Sequence, residues 1–304
     1  MMVQIRWFLL GTLIMTWFGG GLDTWSEPQN LEATPMNHQI EVKIDGKVFT
    51  AYKFDPGQKY PYFFPVNGPL SGESITTETS EPFPHHHSLF FGCDKVSGGD
   101  YWQEGLEKGQ IVSKNIKVIK NQGNTIEFEN NCIWQREGAP SPIADHRIIR
   151  IEAPSPTIRY IDFEITLTAL IDVRIEKSNH ALFSARVVPE LSVSQGGTLV
   201  NSNRAEKEAG TFGQEASWCD YWGTRRGMVE GIAIFTSPHS PWYPYKWFTR
   251  DYGFFSPTPM YWLPDDHIDL PQEQSWKIQY RVVIHSGNTE AAGIASHYQK
   301  WLKP

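Results

Sequence analysis

The sequence predicts an all-β protein, one large antiparallel β-sandwich with a C-terminal helix. Three observations predict it. Several stretches alternate apolar and polar residues with the period of two that a half-buried strand requires. Short Gly, Pro and Asn/Asp turns separate these stretches, with no linker tract, charge block or repeat between them. Helical spacing of apolar residues is clear only after Asn288, at Ile294, Tyr298, Trp301 and Leu302. Many antiparallel strands with one terminal helix are best buried as two facing sheets.

The elements follow in chain order. Arg6 precedes an apolar run from Trp7 to Phe18, and Gly19, Gly20 and Gly21 supply the small residues a signal peptidase needs. Residues 1–21 therefore read as a secretory signal, with an uncleaved anchor as the alternative. The run is shorter than the roughly 20 residues that cross a bilayer as a helix. Residues 22–38 read as an N-terminal extension and 39–304 as a single domain, expected in the periplasm or outside the cell. Ile40, Val42 and Ile44 alternate with charged residues before Asp45-Gly46, a favoured hairpin turn, and the chain returns through Val48 and Phe49. Ile116 and Val118 lead to a turn at Gln122-Gly123-Asn124, from which Ile126 and Phe128 return. Ile161, Phe163, Ile165 and Leu167 mark the clearest strand, and Trp276 to Ile284 a second. Gly231 to Phe235 is a short continuous apolar run, as in a strand covered on both faces.

Charge and cysteine content narrow the function classes. A net charge of -7 argues against nucleic acid and anionic membranes, which are met with basic faces. No membrane partner is expected beyond the signal segment, while a neutral or small anionic ligand stays open. Cys93, Cys132 and Cys219 match no metal or redox spacing and read as buried thiols.

The chemistry-bearing residues cluster. Twelve tryptophans exceed what a Val/Ile/Phe core needs, and Trp102, Trp218, Trp222, Trp242, Trp247 and Trp262 fall in turn-rich segments. Flat rings beside polar groups suit stacking on sugars; the alternative is that they close the ends of the sandwich. Pro82-Phe83-Pro84-His85-His86-His87 packs three imidazoles into one segment, and histidine is the residue of acid/base catalysis near neutral pH. An extended backbone turns His85 and His87 one way and His86 the other, unless the prolines bend the chain. No cofactor is predicted. A divalent metal is the alternative, and it would draw on His146, His180, His239 or Asp220. Two more segments set charges among aromatics, Trp218-Cys219-Asp220-Tyr221-Trp222 and Trp247 to Phe255, the latter holding Arg250 and Asp251. Arg186 lies similarly between Phe183 and Glu190. Each buried charge needs a partner or a ligand, and internal pairing, for instance of Arg250 with Asp251 or Asp220, is the plain alternative.

In order along the chain, Pro84-His85-His86-His87-Ser88-Leu89, Val96 to Trp102, the Arg186 segment, the Trp218/Asp220 pair, Gly231 to Phe235, Pro241 to Phe255 and Tyr280 to Gly287 together resemble the bacterial proteins labelled PmoA-like. The resemblance runs from about Ile40 to Trp301. His85 and His86 match the histidine pair of that family's first signature, and His87 stands where a basic residue is usual. A membrane oxygenase subunit would need several spanning segments, which a chain of mean hydropathy -0.41 does not offer. The resemblance implies instead a secreted domain of uncharacterised function with a galactose-mutarotase-like supersandwich, from bacteria that degrade polysaccharides.

These readings combine into an expected sugar-modifying enzyme of mutarotase, lyase or hydrolase type. His85 or His86 would be acid or base, with Asp220 or Glu190 as carboxylate partner. Trp102, Arg186, Trp218, Trp247, Arg250 and Asp251 would bind the sugar or oligosaccharide. The competing expectation is a non-catalytic carbohydrate-binding module with a flat tryptophan platform, and a weaker one is a metal-dependent oxygenase.

Overall fold

The computed structural model describes residues 29–103 and 105–303, so the proposed signal segment lies outside the described residues. The chain opens with a meander of β1 (Leu31–Met36), β2 (Gln39–Ile44), β3 (Lys47–Lys53) and β4 (Tyr62–Val66). A short hairpin of β5 (Glu78–Ser80) and β6 (Phe83–His87) precedes β7 (Leu89–Val96) and β8 (Gly99–Tyr101). Next come β9 (Gln110–Lys120), the two-residue β10 (Gln122–Gly123), β11 (Thr125–Gln135), β12 (Ile143–Ser155) and β13 (Ile158–Ala169). Then follow β14 (Val173–Glu176), β15 (Ala181–Arg186), β16 (Thr198–Asn201), a short helix α1 (Lys207–Thr211), β17 (Glu215–Ala216), β18 (Trp218–Arg225) and β19 (Met228–Thr236). The chain ends with β20 (Tyr245–Arg250), β21 (Phe254–Pro257), β22 (His267–Leu270), β23 (Ser275–Ser286) and helix α2 (Ile294–Trp301).

Two large sheets result. The smaller orders its strands β16-β18-β19-β23-β13-β12-β11-β9, and the larger β10-β1-β2-β3-β4-β7-β15-β21-β20-β17, with β8, β14 and β22 as side branches. Asp45 and Gly46 both adopt positive φ, 48° and 78°, as a two-residue hairpin turn between β2 and β3 requires. The two clearest predicted strands are antiparallel neighbours: Ile161 faces Val282, Phe163 faces Tyr280 and Ile165 faces Ile278. Residues 31–36, placed by sequence in an N-terminal extension, pair along all of β2 and belong to the sheet.

Aromatic contacts show which faces meet. Tyr52 packs on Phe128, Phe91 and Phe183 on Phe163, Phe183 on Tyr280, and Tyr221 on Phe255, each pair joining one sheet to the other. The run from Gly231 to Phe235 is buried throughout because it has a cover on each side. Ile232 and Ile234 join the main core, while Ala233 and Phe235 join a second cluster with Trp218, Ile294 and Tyr298 beneath α2. All three cysteines are buried free thiols.

A polar network also crosses the core. Arg147 donates to both Asp145 oxygens (2.8 and 3.0 Å), Trp134 Nε1 donates to the same carboxylate (2.7 Å), and Asn130 Nδ2 donates to Tyr52 Oη (3.0 Å). Arg147 and Asp145 side chains are wholly buried. Removing one member of such a pair strands a charge, which costs about 3–5 kcal/mol, whereas replacing both by apolar side chains is often neutral. Asp145→Ala is therefore expected to lower the unfolding free energy by about 3–5 kcal/mol in urea titrations. The double variant Asp145→Leu with Arg147→Met is expected to recover most of that loss.

Candidate functional site

The β5-β6 hairpin lies over the face of the larger sheet that points away from the smaller one. Its base is tied to β15 by backbone bonds: Thr77 N donates to Arg186 O (3.0 Å), and Arg186 N to Ser88 O (2.8 Å). Tyr60 Oη holds the far strand by donating to His85 O (2.6 Å). The Glu81–Pro82 peptide in the hairpin turn is cis.

The extended backbone of β6 separates the histidines. His86 turns down onto the sheet and stacks on Phe254 (ring centroids 4.5 Å apart, 21° between planes) and on Phe83 (5.1 Å, 26°). His87 packs instead on Tyr62 (5.0 Å) and Tyr60 (5.6 Å). His85 meets His86 edge to face at 4.6 Å, and in the same manner meets His180 at 5.5 Å, so the pocket gathers three imidazoles from two distant segments. A cavity of about 230 Å³ opens between them, bounded also by Arg250, Tyr252 and Phe254.

Each group has a distinct electrostatic setting. His86 is 3% exposed and its Nδ1 has no hydrogen-bond partner among the described residues. Burial, with the neighbouring charges of His85, Arg186, His180 and His87, pushes its pKa down to about 2, so the ring is neutral at working pH. Nδ1 of His180 lies 3.8 Å from Oδ2 of Asp94. Burial works to raise the Asp94 carboxyl, but the neighbouring His180 and the hydrogen bond from the Lys95 N–H (2.6 Å) outweigh it and hold the group below the usual carboxylate range. Trp102 is fully buried and stacks behind His180 at 5.8 Å. Arg186, outward on β15, lies 4.4 Å from the centroid of Tyr252 and 5.9 Å from that of Phe83. Arg250 rests on Phe248 (4.1 Å) and donates to Glu208 Oε1 (3.0 Å).

Register explains why these side chains meet. Arg186 is the cross-strand neighbour of Phe254, and Phe254 that of Arg250, so both guanidiniums flank one ring on adjacent strands. Of the residues singled out from sequence, His85, His86 and Arg250 bound the cavity, while Trp102 lies behind His180 and Arg186 beneath Phe83 and Tyr252.

Other expected members lie elsewhere. Asp220 is fully buried on β18, where Oδ1 bonds His285 Nε2 (2.9 Å) and Oδ2 accepts from Thr289 Oγ1 (2.6 Å). Neither Asp220 nor Glu190 bounds the histidine cavity, and Glu190 is exposed on a 3-10 turn. The carboxylate partner proposed for His85 or His86 is therefore misplaced on both residues. Trp247 has no exposure and spends its indole N–H on Ala216 O (2.9 Å), so it is core and not a platform for ligand. Trp218 lies on the opposite sheet, in a separate groove with Trp222, Asn288 and Thr289. Asp251 accepts from Glu208 N (2.8 Å) at the start of α1, a capping role rather than a binding one. The partner of Arg250 is Glu208, not Asp251 or Asp220.

Asp94, Tyr252 and Phe254 were not singled out as site members from sequence, and His180 was named only as a possible metal ligand. His180 stands alone in Ser178-Asn179-His180, where no local motif marks it. Among the described residues, no group of three or more His, Cys, Asp or Glu side chains is arranged to hold a metal ion.

The chain belongs to a family of unknown function, DUF6807, whose model matches residues 39–299. The description of that family names no activity. No curated protein matches the sequence. Among solved structures, the chain is similar to a protein described as a kojibiose phosphorylase from the human microbiome (TM-score 0.37, 8% identity, 92% of this chain and 36% of that one). It is similar also to a galactose mutarotase related enzyme from Lactobacillus acidophilus (0.29, 8%, 84% and 97%) and to an α-galactosidase from Lactobacillus brevis (0.31, 8%, 85% and 40%). The chain spans well under half the length of the first and the last of these.

The burial of His86 makes stability depend on pH. Its folded-state pKa lies below the unfolded value of about 6.5, so the unfolded chain binds the extra proton. The contribution is complete above about pH 6.5 and is lost as pH falls towards 2, at up to roughly 1.4 kcal/mol per unit. His297, shifted down to about 4, acts in the same direction. In urea titrations between pH 6.5 and 4.5, His86→Phe is expected to lose stability less steeply than the unaltered protein. Equal slopes would remove His86 from this account.

Proposed function

We propose that this protein is a sugar-modifying enzyme that works by proton transfer between imidazoles and a ligand of monosaccharide size held in the cavity. The observation that carries the reading is the convergence of His85, His86 and His180 on one aromatic-walled pocket, with Asp94 behind His180. An acid/base scheme needs groups in different protonation states within reach of one ligand. His86 supplies a neutral ring at the cavity wall. Asp94, 3.8 Å from His180 Nδ1, is the carboxylate beside an imidazole of the cavity, so Asp94 and His180 take the role that sequence gave to Asp220 or Glu190. Phe83, Tyr252 and Phe254 offer apolar faces for the sugar ring.

Two features bear on the competing readings. Hydrolysis by the usual route places two carboxylates beside the bond, and none of the described residues bounding the cavity is Asp or Glu. Isomerisation and elimination suit the inventory better. A binding module would set its rings flat on one exposed sheet, whereas these rings converge around a cavity and Trp102 and Trp247 are fully buried. The export of the protein through residues 1–21 and its kinship with PmoA-like proteins belong to the same proposal. Among the described residues no helix is long and apolar enough to cross a membrane.

The test is turnover on a panel of monosaccharides and oligosaccharides, followed by nuclear magnetic resonance. His180→Ala and Asp94→Asn are each expected to lower turnover about 100-fold or more while calorimetry still detects the ligand. Undiminished turnover in His180→Ala would sink the scheme. Binding without turnover by the intact protein on every sugar would favour the module.

A further inference from the structure

We propose that the unit held in the histidine cavity is one end of a longer saccharide, and that Tyr261, at the rim of the cavity, stacks on the next sugar unit. The substrate class is then a saccharide of two or more units, not a free monosaccharide. The inference rests on the sugar reading above and deepens it.

Size and exposure point the same way. The cavity of about 230 Å³ falls below the roughly 300–1,000 Å³ of sites that enclose a drug-sized ligand, so it has room for one sugar ring and anything longer must cross its rim. Tyr261 is the only exposed ring among the described phenylalanines, tyrosines and tryptophans, at 38%. Single apolar side chains scattered on a surface need no function. Tyr261 differs from these because it continues the wall of the cavity. Phe254 and Phe248 both bound the cavity and meet at 6.1 Å, and Phe248 meets Tyr261 edge to face at 5.5 Å.

The segment that carries the ring is fixed to the cavity from two sides. Tyr261 lies in a single 3-10 turn, Met260–Trp262, and Met260 O accepts from Ser178 N (3.1 Å), two residues before His180. Arg250 bounds the cavity with its side chain partly in solvent, and so marks the open side. Its guanidinium lies 4.1 Å from the centroid of Phe248 and 4.6 Å from that of Phe212, and both of those rings touch Tyr261. Trp262 steadies the turn by lying against Gly213, where a Cβ would come within 3.3 Å of the indole. Phe212, Trp262 and Phe248 meet Tyr261 at 64°, 86° and 87°, so none of them lies flat on its ring. An exposed ring with no stacked neighbour suits the apolar face of a pyranose, and its phenol adds a polar tip for sugar hydroxyls.

Calorimetric titration of the full chain with two pairs of probes tests this: D-glucose with cellobiose, and D-galactose with lactose. In each pair the disaccharide adds one glucose unit to the same sugar. In at least one pair the disaccharide is expected to bind about fivefold or more tightly than the monosaccharide. Tyr261→Ala is expected to erase that advantage while monosaccharide affinity stays within about twofold, and Tyr261→Trp to keep it. If Tyr261→Ala fails to fold, Tyr261→Leu carries the test with the same loss expected, since it keeps an apolar contact with Phe248 but has no flat ring. Disaccharides bound no more tightly than monosaccharides would overturn the second subsite and leave the sugar reading standing. A disaccharide preference unmoved by Tyr261→Ala and Tyr261→Leu would overturn the assignment to Tyr261. No binding of any of the four probes would overturn the inference, and the turnover panel then judges the sugar reading by itself.

Discussion

Strand β15 is buried along all six of its residues, and covering both of its faces is the constraint on which the rest of the structure depends. Phe183 faces inward, against Phe163 and Tyr280 of the smaller sheet. Arg186 faces outward and needs a different cover, because no second sheet lies there. The β5-β6 hairpin provides it, bonded to Arg186 through both the N–H and the carbonyl of that residue. The candidate site is the space left between this cover and the sheet. Its location follows from the need to bury the outer face of β15.

Two buried arginines show how the same side chain serves different ends. Arg147, between the sheets, is matched by Asp145, Trp134 and Tyr52 into a closed network, and such a network specifies how the sheets sit on one another. Arg186, under the hairpin, is left with rings and imidazoles for company. The same contrast separates the carboxylates. Asp220 is fully engaged by His285 and Thr289, while Asp94 has a histidine that faces the cavity.

Much of the scaffold was legible because strand formation leaves a local trace. The period of two in Ile161 to Leu167 and in Trp276 to Ile284, the Asp45-Gly46 turn and the spacing of Ile294, Tyr298 and Trp301 each reflect one face turned to a core. Part of the site was legible for the same reason, since His85 and His86 are adjacent and their opposite orientations follow from an extended backbone. Asp220 and Trp247 misled because composition records that a charge or a ring is present, not what it touches. His180 and Asp94 were invisible as a pair because their meeting depends on β7 and β15 being neighbours in the sheet, where Ala181 faces Cys93.

Taken alone, the sequence determined the fold class, the clearest strands, the terminal helix and the segment richest in chemistry, since these depend on patterns within some ten residues. Only the tertiary structure decided which sheet face the hairpin covers and which carboxylate a histidine meets. Those outcomes turn on pairing between strands far apart in the chain, where a shift of a single residue would turn every side chain to the opposite face.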